Sequence, residues 1–113
     1  MKLSRPIPNT LPSAYKLPPK LDFERIRTIA KTVDVPLVLH GGSGLSDDDF
    51  KQAVAKGISK INIFTHNNLT AARAAQAAFS QKTGAFELMP IVVEAIKQET
   101  MHHIKVFGSD GKA

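Results

Sequence analysis

Apolar positions along the chain switch between helical and extended spacing, and the switches place the elements. Phe23, Ile26, Ile29 and Ala30 share one helical face behind Asp22, which predicts a helix capped by Asp22 and ending near Val33, before Pro36. Pro36-Leu37-Val38-Leu39-His40 is a short run of strand formers halted by Gly41-Gly42-Ser43-Gly44. Ser46 with Asp47, Asp48 and Asp49 then opens a second helix, Ser46 as cap and the carboxylates in its first turn. Phe50, Ala53 and Val54 line its buried face, and Gly57 is a left-handed terminator. Residues Ser59 to Phe64 read as a second strand. An Ala-rich helix follows from Leu69 to about Lys82, broken at Thr83-Gly84. The last helix runs from Phe86 or Met89 to Val106, with Pro90 in its first turn. Its expected stripe is Leu88, Ile91, Val92, Ala95 and Ile96, continued by Met101 and Ile104, and Gly108 to Gly111 end it.

Before Leu21 the chain carries Pro6, Pro8, Pro12, Pro18 and Pro19, which remove donors and disfavour helix, so residues 1–20 are expected to form an extended arm. Residues 21–113 then read helix, strand, helix, strand, helix, helix. Strands alternating with helices indicate α/β architecture with a parallel sheet. Parallel strands need cover on both faces and neighbours on both edges. Two strands alone leave those needs unmet, so the expectation is a section of a larger sheet or barrel.

Composition narrows the function classes. The 113 residues make one domain at most, or a piece of one, with 42% apolar and 22% charged residues, as in ordinary globular proteins. The net charge is +5, but the basic residues are scattered and the aromatics are six Phe and one Tyr. A nucleic-acid binder concentrates its cations on one face, so no nucleic-acid partner is expected. The positive balance reads first as a soluble surface with some excess Lys, and otherwise as a site for anionic metabolites such as sugar phosphates. No apolar run approaches the ~18 residues of a transmembrane helix, and Met1 to Pro6 show no secretory h-region. Cysteine is absent, which excludes disulfides and thiolate ligands and fits a cytoplasmic protein.

The informative feature is a pair of strand ends. His40 closes the first strand, where an α/β barrel places its working groups. A neutral imidazole there binds a metal through one nitrogen, or is simply hydrogen-bonded at the strand end. Gly41, Gly42 and Gly44 remove side chains from one turn. Backbone N–H groups can then converge on an anion, with the Ser43 hydroxyl beside them and the next helix directing its positive end there. A plain tight turn is the other reading. The second strand end, Asn62-Ile63-Phe64-Thr65, adds two hydrogen-bonding side chains. His66 could be a ligand but reads better as a loop or cap residue, and His102 and His103 read as residues complementing a helix C-terminus, without chemistry. Lys60 lies at a strand start, with no apolar pocket to lower its pKa for Schiff-base chemistry.

Three segments together resemble the class II, zinc-dependent ketose-bisphosphate aldolases, the fructose/tagatose-bisphosphate aldolase family. They are Pro19-Lys20-Leu21-Asp22-Phe23, Val35 to Gly44, and Gly57-Ile58-Ser59-Lys60-Ile61-Asn62. The ending Phe107-Gly108-Ser109-Asp110-Gly111-Lys112-Ala113 is similar to that family's usual ending. The resemblance implies the C-terminal section of a TIM (β/α)8 barrel, with the last two of its eight strands. It implies reversible aldol cleavage of a ketose 1,6-bisphosphate to dihydroxyacetone phosphate and glyceraldehyde 3-phosphate, a step of glycolysis and carbohydrate metabolism. Zinc would polarise the dihydroxyacetone-phosphate carbonyl. His40 falls at a zinc-binding histidine. Gly41, Gly42, Ser43, Asn62, Ile63, Phe64 and Thr65 fall at substrate contacts, and Gly41 and Ser43 in the region that holds a monovalent cation.

The departures are specific. Where the family has a further zinc histidine, this chain reads Asn9-Thr10-Leu11-Pro12-Ser13, and Pro12 offers no side-chain ligand. The segment with the proton-transferring Asp and a neighbouring zinc histidine has no counterpart here, and Phe64 stands where Asp or Ala is usual. A catalytic zinc site takes three protein ligands and a TIM barrel about 250 residues. The expectation is therefore a truncated portion, inactive by itself. The alternative is a non-catalytic phosphate-binding or interaction module, which pairs its strand edges with a second copy or with a complementing barrel fragment.

Overall fold

The structure is a computed structural model that describes residues 19–80 and 83–112. The expected arm before Pro19, with Pro12 and Ser13, lies outside the described residues, as does the expected helix end at Lys82. The elements are α1 (Phe23–Thr32), β1 (Leu37–His40), α2 (Asp47–Ala55), β2 (Ile58–Asn62), α3 (Thr65–Ala78) and α4 (Ala85–Val106). They fall into two compact units, Met1–Ile63 and Phe64–Ala113.

In the first unit, the Asp22 carboxylate accepts the Arg25 N–H at 2.9 Å and starts α1 as its cap. A capping box starts α2: the Ser46 hydroxyl accepts the Asp49 N–H, and the Asp49 carboxylate accepts the Ser46 N–H at 2.9 Å. β1 and β2 pair in parallel, with Val38 opposite Lys60, Leu39 opposite Ile61 and His40 opposite Asn62. Along β1 the alternation follows the pleat, Leu37 and Leu39 buried, Val38 half-buried and His40 exposed. Leu21, Ile26, Leu37, Leu39, Leu45, Phe50, Ala53 and Ile58 are the buried apolar residues of this unit. Burial of each large member contributes about 1.5–3 kcal/mol. Gly57, at φ +115°, brings the chain against Ala30 of α1, where a Cβ would stand 2.5 Å from the Ala30 Cβ.

β2 ends at Asn62, so Ile63 and Phe64 lie beyond the expected strand. α3 begins at Thr65, four residues before the expected Leu69. The Asn68 N–H reaches the Phe64 carbonyl at 3.0 Å and closes the first turn there. Thr65, His66, Asn67 and Asn68 are all polar, so this turn carries no apolar period by which a helix would be read.

In the second unit, α3 packs against α4, and no residue of α3 is fully buried. α4 begins at Ala85, so Pro90 lies inside the helix rather than in its first turn. Its ring nitrogen leaves the Phe86 carbonyl without the usual helical donor. Phe86 and Pro90 are both exposed, where water can hydrate that carbonyl. The buried side of α4 also differs from the expected stripe. His103 and Val106 are buried, and Leu88, Val92, Ala95, Ile96 and Glu99 are half-buried, whereas Ile91, Met101 and Ile104 are exposed. Polar residues share the seam because Glu99 and His103 find partners in it. Beyond Val106, Gly108 turns at φ +69° and the Ser109 N–H caps the Ile104 carbonyl at 3.0 Å. Among the described residues no helix is long and apolar enough to cross a membrane.

Candidate functional site

The parallel register sets His40 and Asn62 side by side at the C-terminal ends of their strands. Asn62 Nδ2 lies 3.0 Å from His40 Nδ1. With the amide nitrogen donating, Nδ1 accepts and Nε2 carries the ring proton. With the amide turned over, Nδ1–H donates to the carboxamide oxygen and the lone pair moves to Nε2, the form that binds a metal. Asn62 therefore orients the imidazole, and each end of its amide suits one of the two ring tautomers. Sequence reasoning placed Asn62 against substrate; its contact in the fold is with His40.

The glycine turn that follows has three separate causes. Gly41 sits at φ +72° and Gly44 at φ +90°, left-handed geometry that other residues resist. Gly42 is buried for a steric reason: a Cβ would stand 2.8 Å from Cε1 of Phe50. The Gly42 carbonyl accepts the Leu45 N–H at 3.2 Å and closes the turn. Gly41 and Ser43 are half-buried.

The start of α2 is less available to an anion than its position implies. Its own capping box occupies the Ser46 and Asp49 N–H groups, and Asp47, Asp48 and Asp49 place negative charge over the positive end. Both features disfavour an anion at this helix start. A shallow basic depression lined by Arg27, Lys31, Lys56 and Gly57 lies at the opposite ends of the strands, since Gly57 directly precedes β2. Lys56 pairs there with Glu24 at 3.4 Å.

In the second unit, Phe64 is the N-cap residue of α3, exposed and with no side-chain capping bond, and Thr65 is the first residue of the helix. No acidic side chain stands in this first turn. His66, expected as a loop or cap residue, points its Nε2 at Glu99 Oε1 across 3.1 Å. His103 Nδ1 lies 3.5 Å from the same oxygen and 3.0 Å from the Glu99 carbonyl. The two imidazole rings stand edge to face, 5.3 Å apart. This cluster was not legible in the sequence beyond the spacing of Glu99 and His103, four apart on one helix face. Its third member comes from another helix.

The chain belongs to the class II fructose-bisphosphate aldolase family, whose profile matches residues 10–112. It is 43% identical over 99 residues to the YdjI protein of Escherichia coli K12, covering 88% of this chain and 35% of that one. The crystal structure of the YdjI aldolase superposes with a TM-score of 0.78, over 84% of this chain and 36% of that one. Sulfofructosephosphate aldolase of Alkalicoccus urumqiensis is 35% identical and fructose-bisphosphate aldolase of Geobacillus stearothermophilus 33%, each across 88% of this chain and 36% of its own length. The chain thus spans about a third of the relatives it matches.

The donors around His40 can be tested against the zinc that the family implies. His40 supplies one imidazole, and Asn62 engages its other nitrogen. Among the described residues, the group of three potential ligands that comes together is His66, Glu99 and His103, which does not include His40. A catalytic zinc site takes three protein ligands. The described residues therefore do not complete one at His40.

Proposed function

We propose that this chain supplies the phosphate-binding turn and one metal ligand of a class II aldolase centre, within the C-terminal section of a (β/α)8 barrel spanning residues 21–113. The observation that carries the reading is the pairing of His40 with Asn62 at adjacent strand ends, with the glycine turn directly after His40. A ketose bisphosphate, or its product dihydroxyacetone phosphate, would bind with its phosphate on the Gly41, Gly42 and Ser43 backbone and the Ser43 hydroxyl. Asn62, Ile63, Phe64 and Thr65 would contribute the remaining contacts. Relatives named for fructose bisphosphate and for sulfofructose phosphate support a phosphorylated ketose and leave the far end of the sugar open. His40 would hold zinc through Nε2, with Asn62 fixing the ring. A monovalent cation near Gly41 and Ser43, a glycolytic role and a cytoplasmic setting belong to the same proposal.

With one ligand at His40, the 113-residue chain alone is expected to show no measurable turnover. The assay is fructose 1,6-bisphosphate cleavage by the purified chain, with and without zinc. EDTA-sensitive turnover that disappears in His40→Ala would contradict the inactive reading and require a replacement ligand set. A second reading, a phosphate-binding or interaction module, is favoured by the same ligand count and by the sheet. Each strand has one hydrogen-bonded neighbour among the described residues, which leaves an edge for a second copy or a complementing barrel fragment. Concentration-dependent self-association that a Pro substitution at Val38 removes would distinguish it.

A further inference from the structure

We propose that His66, Glu99 and His103 form a second divalent-metal site, one that bridges α3 to α4 and does not involve His40. One ligand atom from each of the three lies within 4.8 Å of the other two. The measured separations are 3.1 Å from His66 Nε2 to Glu99 Oε1 and 3.5 Å from His103 Nδ1 to the same oxygen. Two ligands of a tetrahedral ion with bonds of about 2.0–2.1 Å stand about 3.3 Å apart, so the cluster has the span of a coordination sphere before any ion enters. Small rotamer adjustments open the centre between the three atoms.

The chemistry of the donors selects the ion. Two imidazoles and one carboxylate suit zinc, cobalt or nickel, whereas magnesium and calcium take oxygen-rich sites. Three protein ligands leave a fourth position for water or a small anion. Exposure is graded across the cluster, with side chains 43% exposed at His66, 21% at Glu99 and 8% at His103. The ion would therefore reach the site from the His66 side. The Phe107 ring lies 5.5 Å from that of His103, beside the buried member of the cluster.

Electrostatics act in both directions. His103 lies in the last turn of α4, whose partial negative charge favours a cation. His66 lies in the first turn of α3, whose partial positive charge opposes one. The Glu99 carboxylate decides the balance. Its ion pairs among the described residues are with the two histidines, so no Lys or Arg neutralises it there. Without a metal, His66 Nε2 faces the Glu99 carboxylate at 3.1 Å, while His103 Nδ1–H donates to the Glu99 carbonyl at 3.0 Å and lies 3.5 Å from the same carboxylate oxygen. With a metal, the two nitrogens face the ion with lone pairs. The inference is independent of the sugar-phosphate reading, since it uses none of the residues assigned there.

The test is titration of the full chain with cobalt(II), read by its visible ligand-field absorption and by calorimetric stoichiometry. The expected result is one tightly bound ion per chain, with binding weakened at least about ten-fold in Glu99→Gln and in His66→Ala. His102→Ala should bind as the parent does, and far-UV circular dichroism should be unchanged in all three. His66 is partly exposed, so His66→Ala keeps the test decisive should Glu99→Gln unfold. Absence of saturable binding overturns the proposal, as does binding that survives Glu99→Gln and His66→Ala but is lost in His40→Ala.

Discussion

Asn62 and Phe50 show how much of the candidate site depends on single contacts. Replacing Asn62 by Ala removes the group 3.0 Å from His40 Nδ1 and with it that hold on the ring. The expected outcome is a shift in the His40 ring tautomer ratio, read from imidazole nitrogen chemical shifts, with the fold unchanged because Asn62 is not in the buried set. Gly42→Ala acts differently. Its new methyl meets Phe50, itself 2% exposed, so either the ring or the turn must move. The expected cost is about 1–3 kcal/mol in urea denaturation. The glycines of this turn were conspicuous in the sequence, but the reason for Gly42 was not. It lies in a ring eight residues further on, and a tertiary contact leaves no local pattern.

At the scale of elements, end signals were legible where side chains make them. Asp22 and Ser46 cap α1 and α2 as their positions imply. Ser46→Ala should lower stability by about 1 kcal/mol, measured by thermal denaturation. The start of α3 was missed because its cap residue, Phe64, makes no side-chain bond. The interior position of Pro90 was missed because Pro is at home in first turns, and only the helix start at Ala85 reveals otherwise. Pro90→Ala restores an N–H to the ladder and should raise stability, by up to about 3 kcal/mol, with a small gain in helical circular dichroism.

On the same helix, the Glu94 carboxylate accepts from the Gln98 amide at 2.6 Å and from the Lys97 ammonium at 3.1 Å. These bonds, Gln98 first, hold its carboxyl below the ordinary value of 4.5. A pKa depressed in the fold contributes stability above the unfolded value and loses it as pH falls through the folded one. Carboxyl-detected NMR titration should therefore place Glu94 below 4.5. Glu94→Gln should narrow its difference from the parent in melting temperature as the solution is acidified.

For the whole molecule, strand–helix alternation was enough to give a parallel α/β arrangement, and the strand ends were enough to point to His40 and the glycine turn. Periodicity placed Leu88, Val92, Ala95 and Ile96 on the covered side of α4 but not its continuation toward the C-terminus, because Glu99 and His103 stand there and hydropathy reads them as surface. It also gave no sign that the start of α2 disfavours an anion, which follows only when its capping box and three aspartates are counted together. The account therefore assigns sugar-phosphate recognition to one short stretch at one end of the sheet, away from the basic depression at the other end.

Backbone amide NMR of the 113-residue chain, titrated with dihydroxyacetone phosphate, tests that assignment most directly. Saturable shifts concentrated on Gly41, Gly42, Ser43 and Asn62, reduced in Ser43→Ala, are the predicted result. Shifts confined to Arg27, Lys31 and Lys56, or no saturable shift at the glycine turn, would contradict it.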